Sequence, residues 1–434
     1  MNGLKEKLEK YEAIQVQFSD LHGVMKSVTV PSESIKDNPE EGIWFDGSSI
    51  QGFTRIAESD LYLRPDITTL VELPWLETFA CIWGDVYTPN NEPFLGDPRD
   101  ILRRACNRAK AMGYDYQVGA ELEFFLLEEK NGSFHPVDYA GYFDSSPFDK
   151  GFNVKRDILA NAKKMNIPCE MGHHEVARGQ QEIDFRYSNA LVTADRIMMM
   201  KLMIQTIARQ HGLVASFMPK PFFGQNGSGM HCHQSLWHSD NTNAFYDPKD
   251  EMLLSETAKQ FIAGQLKYSK EIIGILAPTV NSFKRLVPGY EAPCYISWAQ
   301  LNRSALIRIP RVPENRSSSV RAELRCPDPM CNPYLAMAAM LEAGLEGIRK
   351  KLVPPSPRQE NLYKLKKQKL ADLQVEHLPA SLWEATNNIR SSSLIKNTFE
   401  NPLFENYIQA KFSEWDEYRL QVTEWEKKKY MMRY

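Results

Sequence analysis

Residues 116–127, Tyr-Gln-Val-Gly-Ala-Glu-Leu-Glu-Phe-Phe-Leu-Leu, constrain the fold of this chain more than any other stretch. With apolar side chains at both ends, the stretch reads as a buried strand. Strand side chains alternate, so Glu121 and Glu123 point to one face. Side by side on an apolar strand, two carboxylates repel each other and lose hydration, and a bound cation relieves both costs. An isolated Glu-x-Glu is more often an acidic edge facing water. The long apolar run favours buried ligands, provided that partners occur elsewhere in the chain.

Partners do occur. Glu175 and Glu182 lie in a polar stretch that begins Gly172-His173-His174-Glu175. Adjacent histidines on extended chain face opposite ways, so at most one of His173 and His174 reaches a common site. A glycine-rich turn, Asn226-Gly227-Ser228-Gly229, runs into a strand on which His231 and His233 share a face. Residues 320–325 alternate strictly, with Arg321, Glu323 and Arg325 on one side. Glu121, Glu123, Glu175, Glu182, Glu323 and His231 form a mostly oxygen donor set, which suits Mg2+ or Mn2+ rather than zinc. So many carboxylates exceed the need of one divalent ion, so two or more ions are expected. Arg285, Arg303, Arg308, Arg321 and Arg325 supply planar forks for phosphate and carboxylate. Metals with arginines imply an anionic substrate and phosphoryl transfer. The sequence carries neither a Walker-type loop nor a kinase glycine loop.

The rest of the chain sets bounds. Its 434 residues call for two domains, or a large one with a smaller one. A net charge of −3 disfavours nucleic acid or an acidic membrane as main partner. No apolar run is long enough to span a bilayer, and the N-terminus has no apolar signal core. Seven scattered cysteines without a Cys-x-x-Cys fit a reducing compartment, so a cytoplasmic protein is expected. A short amphipathic helix is expected over residues 1–12, with alternating strands around Val16 and Val28 after it. Asp97 as cap, Pro98 at the first position and Gly113 at the end delimit a helix after a boundary near Gly96. A methionine-rich helix covers 190–212, and Leu213 to Phe222 reads as a buried strand. Near the end, Phe412, Trp415, Tyr418, Val422 and Trp425 recur at helical spacing and suggest a subunit contact.

These residues resemble the type I glutamine synthetases nearly end to end. The matches include Phe45-Asp46-Gly47-Ser48-Ser49, Glu121-Leu122-Glu123, His173-His174-Glu175, residues 226–233, residues 281–293, Asn302-Arg303-Ser304 and Asn332-Pro333-Tyr334. The resemblance implies an α+β fold. A small N-terminal β-grasp domain would cover 1–96, and a catalytic domain with a curved antiparallel sheet surrounded by helices would cover 97–434. It implies ATP-dependent ligation of ammonia to glutamate through a γ-glutamyl phosphate, at sites between subunits of a double-ring dodecamer.

By the same resemblance, Glu123, Glu175 and Glu182 hold one metal, and Glu121, His231 and Glu323 the second. Asn226, Gly227, Arg285 and Arg325 match glutamate-binding positions, and Arg303 and Arg308 match phosphate contacts. Glu170, His233, Gln234, Ser235 and Arg321 match nucleotide contacts. Asp46 from an adjacent subunit takes a proton from ammonium, Asp60 belongs to the ammonium site, and Glu291 closes the site and receives a proton. Arg55 resembles the arginine linked to glutamine feedback in the alpha subdivision, as does the ending from Glu414 to Glu426. Tyr363 aligns with a tyrosine adenylylated in another subdivision, but Lys364-Leu365-Lys366-Lys367 follows it here, so feedback without adenylylation is expected. The rivals are a ligase for a polyamine or other larger amine, a relative without catalysis, and an added role in binding transcription regulators.

Overall fold

The computed structural model describes residues 7–37, 41–53, 59–313, 315–360, 362–364, 373 and 375–432. The fold is α+β, built on two sheets. The first has five strands among the described residues: β1 (Ala13–Ser19), β2 (Met25–Pro31), β3 (Ile43–Asp46), β4 (Asp60–Glu72) and β5 (Phe79–Tyr87), in the order β2-β1-β5-β4-β3. Ile14, Val16, Leu61, Leu63, Ile82 and Val86 fill its own core. Of the helix expected over 1–12, residues 1–6 lie outside the described residues.

The second sheet is built around β6 (Asp115–Lys130), the strand carrying Glu121 and Glu123. Its path runs β12 (Tyr295–Ala299), β13 (Ala305–Arg308), β14 (Ala322–Leu324), β11 (Met230–Trp237), β6, β9 (Gln180–Asn189) and β8 (Cys169–His174). β7 (Ser133–Pro136) and β10 (Val214–Ser216) pair with β6 off this path. The sheet is antiparallel except at one edge, where β12 and β13 run parallel. The expected strand over 213–222 shrinks to β10, because Pro219 and Pro221 have no N–H to donate to a ladder.

Val118, Ala120, Leu122, Phe124 and Leu126, on one face of β6, are buried in the main core under α1 (Pro98–Ala111) and α2 (Ala190–Gln210), and α3 (Pro333–Arg349) packs on both of these helices. Full burial of a large apolar side chain is worth roughly 2 to 3 kcal/mol. That gain fixes the register and so holds the two glutamates on the opposite face. α1 (Pro98–Ala111) begins as expected, with Pro98 at its first turn and the Asp97 side chain accepting from Arg99 N at 3.0 Å.

Arg99, on α1, joins the first sheet to α2. It reaches Asp66 at 3.0 Å and Asp195 at 2.9 Å, and it also pairs with Asp85. Tyr334 donates to the same Asp195 at 2.6 Å. The C-terminal aromatics divide between two environments. Phe412 and Trp415 of α4 (Leu403–Arg419) pack against the main core of their own chain, while Val422 and Trp425 stand exposed. No helix among the described residues is long and apolar enough to cross a membrane.

Candidate functional site

The register of the second sheet brings distant residues together. His231 stands opposite Glu121 across β11 and β6, His233 opposite Glu323 across β11 and β14, and Glu182 opposite Glu123 across β9 and β6. His231 Nδ1 lies 2.7 Å from Glu121 Oε2, and His233 Nε2 lies 2.7 Å from Glu121 Oε1. Glu323 is fully buried. Its Oε2 accepts from Arg308 at 2.7 Å, and its Oε1 accepts from Arg325. One donor group is Glu121, His231 and Glu323; a second is His173, Glu175 and Glu182.

Glu123 sits between these groups. It accepts from Gln180 Nε2 at 2.9 Å and Gly229 N at 3.0 Å. His173 lies 3.2 Å from Glu175, whereas His174 faces the other way and is paired with buried Asp138 at 3.0 Å. Alternation on β8 separates the two rings.

The electrostatics show what this set lacks. Burial, then repulsion from Glu175, pushes Glu123 up to about 8. Burial, then Glu123, pushes Glu182 up to about 12. Burial, then Glu121, raises Asp184 to about 6. Burial also opposes ionisation of Glu323, but the Arg325 guanidinium outweighs it and brings the carboxyl to about 2. Asp184 Oδ1 and His173 Nδ1 are buried without a hydrogen-bond partner among the described residues. Crowded carboxylates that resist ionisation, beside orphaned polar atoms, fit a hard divalent cation such as Mg2+ or Mn2+.

A cavity of about 320 Å3 opens over this cluster. Its walls include Asn226, Gly227, Arg285, Glu291, Arg303, Arg308 and Arg325. A side chain at Gly227 would strike the Pro219 carbonyl, and one at Gly229 would strike the Arg285 guanidinium, so the turn admits only glycine there. Arg285 donates to the carbonyls of Arg325, Cys326 and Pro327 at 2.9 to 3.2 Å. Asn226 donates to Glu291 at 3.3 Å.

A second cavity, of about 480 Å3, lies beyond and includes Glu170, His233, Ser235, Arg316 and Arg321. Glu121 and Asp184 line both cavities. Arg321 reaches His233 Nδ1 at 3.1 Å.

Some expected residues stand elsewhere. The Gln234 side chain does not line the second cavity. It lies on the opposite face of β11, accepting from Tyr116 and Gln265 at 2.7 Å each. The alternation that turns His233 towards the cavity turns Gln234 into the core, so the Gln234 side chain does not face the cavity where a nucleotide contact is expected. Asp46 and Asp60 are cross-strand neighbours on β3 and β4, both exposed, and neither lines either cavity of its own chain. The Ser48 and Ser49 hydroxyls, donating to Asp46 at 2.6 and 2.8 Å, hold its carboxyl below the usual range. Arg55 lies outside the described residues.

Sequence reasoning passed over Gln180 and Asp184. Both follow the β9 alternation that places Glu182 on the site face, and that period was the available signal.

Comparison with known proteins agrees with this geometry. Residues 95–430 match the model of the glutamine synthetase catalytic domain, and residues 10–89 match that of the glutamine synthetase β-grasp domain. A glutamine synthetase from Clostridium saccharobutylicum is 46% identical over 440 residues, covering 100% of this chain and 98% of that protein. One from Thermotoga maritima is 46% identical over 429 residues, covering 98% and 97%. A solved GmaS/ADP complex superposes with a TM-score of 0.91 at 31% identity, covering 99% of this chain and 100% of that one. A fold of two such sheets, an acidic cluster between two cavities, and full-length similarity at this level make the chain a member of the glutamine synthetase family of enzymes.

Proposed function

We propose that this enzyme ligates ammonia to the side-chain carboxylate of L-glutamate at the expense of ATP, as a step in nitrogen assimilation. The reaction passes through γ-glutamyl phosphate and yields L-glutamine, ADP and phosphate. One observation carries the reading: the acidic cluster lies between an arginine-lined cavity and a second cavity, and Glu121 and Asp184 belong to both.

In this reading Glu123, Glu175 and Glu182 hold one divalent cation, Mg2+ or Mn2+, and Glu121, His231 and Glu323 hold another. When bound, these ions supply Lewis acidity that offsets the charge of the transferring phosphate. Arg303 and Arg308 grip phosphate oxygens as forks, and Arg303 also faces the reacting carboxylate. Asn226, Gly227, Arg285 and Arg325 orient glutamate. Arg321, His233, Ser235 and Glu170 bind the nucleotide, a role supported by the ADP in the GmaS complex.

Asp46, beside Asp60, acts from a neighbouring subunit. Its ionised carboxylate attracts ammonium and takes one proton, leaving a nitrogen lone pair. That nitrogen attacks the acyl carbon, the bond to the phosphate oxygen breaks, and phosphate leaves with the electron pair. Glu291 takes a proton from the nitrogen and, by closing the site, keeps water away from the activated glutamate.

We further propose a dodecamer of two stacked hexamers in the cytoplasm, with the domains meeting at Gly96 and Asp97. The alpha-subdivision features point to glutamine feedback through Arg55 and no adenylylation of Tyr363, with room for a regulatory protein partner. The test is product formation from glutamate and ATP at saturating Mg2+, with ammonium and a panel of larger amines side by side. Ammonium turnover that is lost in Glu291→Ala and in Asp46→Ala supports the reading. Preference for a larger amine overturns the choice of acceptor, and no turnover from assembled, ATP-binding protein overturns the ligase assignment.

A further inference from the structure

Glu291 occupies a backbone conformation that its residue type resists. Its φ is +58°, in the left-handed region, two residues after Gly289 at +94°. A non-glycine residue stays there only when its surroundings over-determine it. The Asn226 contact at 3.3 Å is long, and Glu291 itself is exposed to the cavity. The restraint comes from the residues on either side.

On one side, Lys220 Nζ sits 3.6 Å from the centroid of the Tyr290 ring. The Lys220 backbone is fixed by a reciprocal pair with Asn281, at 2.7 and 3.1 Å, and its ammonium also donates to the Gln225 carbonyl. One lysine therefore ties the residue before Asn226 to the residue before Glu291. On the other side, the Tyr363 hydroxyl donates to the Ala292 carbonyl. The Tyr363 ring packs near Tyr295, at 6.1 Å between centroids, beside Cys294 and Leu362.

We propose that Lys220 and Tyr363 are positioning residues that latch the Glu291 loop from both sides and thereby set how much activated glutamate is captured by ammonia. This inference rests on the ligase reading above. An unlatched loop admits two losses. Water can attack the acyl carbon and release glutamate and phosphate. Alternatively, the α-amino nitrogen can attack the same carbon, expelling phosphate and losing a proton to solvent to give 5-oxoproline. Both consume ATP without making glutamine.

The experiment uses the full-length enzyme with Tyr363→Phe, Lys220→Met and Lys220→Arg. Two quantities are read: glutamine formed per ADP, with 5-oxoproline counted, and amide hydrogen exchange at residues 289–292. Removing one hydroxyl donor shifts the closed-to-open ratio by about fivefold, and removing the ammonium over the ring shifts it by about threefold. The expected result is faster exchange by these factors in Tyr363→Phe and Lys220→Met. A falling glutamine-to-ADP ratio and rising 5-oxoproline accompany it, with the KM for ATP unchanged. Lys220→Arg, which keeps a cation over the ring, stays near wild type.

Unchanged exchange in both disruptive variants overturns the latch. Faster exchange with an unchanged product ratio overturns its role in capture. Loss of ADP and glutamine formation together, with a lowered melting temperature, assigns the residues to folding and also overturns it. If wild-type protein makes no glutamine, the ligase reading fails, and the exchange measurement still decides whether the latch exists.

Discussion

Replacing Glu182 with glutamine removes one carboxylate from the most crowded part of the site while keeping its shape. Without cations, Glu182 is pushed up to about 12 and Glu123 to about 8, against an ordinary value of 4.5. Both groups hold protons in the folded chain that the unfolded chain has released. Their contribution to stability is therefore whole below the unfolded value of 4.5 and is lost as pH rises, up to about 8 for Glu123 and about 12 for Glu182. For Glu123 alone, the loss between pH 6 and pH 8 is about 2 kcal/mol. Glu182 keeps its proton across that window and adds a further slope, which glutamine, having nothing to ionise, removes. Cation-free Glu182→Gln should thus lose less stability than wild type from pH 6 to pH 8. Comparing the two chains cancels titration elsewhere. The assay is urea unfolding of EDTA-treated protein at both pH values, with and without excess Mg2+. Mg2+ should restore wild-type stability at pH 8 and stabilise the variant less, because only the Glu121, His231 and Glu323 group is left whole. Wild type that is no weaker at pH 8 than at pH 6 without Mg2+, or a variant that Mg2+ stabilises fully, would refute the reasoning.

Further outcomes can be checked separately. Arg99→Met strands Asp66 and Asp195 and leaves Asp85 with Arg103 alone; unfolding measurements should show about 3 to 5 kcal/mol lost, with Asp195→Asn restoring part. Gln234→Leu breaks the buried bonds to Tyr116 and Gln265; stability should fall by about 1 to 3 kcal/mol, while nucleotide affinity, read by titration, stays unchanged. Because Asp46 stands outside the cavities of its own chain, mixing inactive Asp46→Asn with inactive Glu182→Gln and reassembling the subunits should restore activity. Two inactive variants that stay inactive after verified mixing would place Asp46 outside the reaction.

Much of the site was legible because strands have a period of two. The period put Glu121 with Glu123, turned His173 and His174 apart, and set His231 with His233. Applied consistently, it also separates His233 from Gln234 and adds Gln180 and Asp184; those were missed where resemblance, not periodicity, guided the choice. The helix start at Asp97 and Pro98 was equally clear, since its signals are local. The Arg99 cluster was not, because its partners lie 14, 33 and 96 residues away and no local pattern joins them. The apolar run after Leu213 looked like a strand, but its prolines end the ladder at Ser216. Phe412 and Trp415 looked unpartnered only because their partners are remote in sequence.

Glu121 and Asp184 form a common wall between the two cavities. Each oxygen that Glu121 turns towards one ligand is unavailable to the other, so occupancy on the two sides becomes a single thermodynamic quantity. Whatever factor a nucleotide imposes on cation affinity, the cation must impose on nucleotide affinity in return.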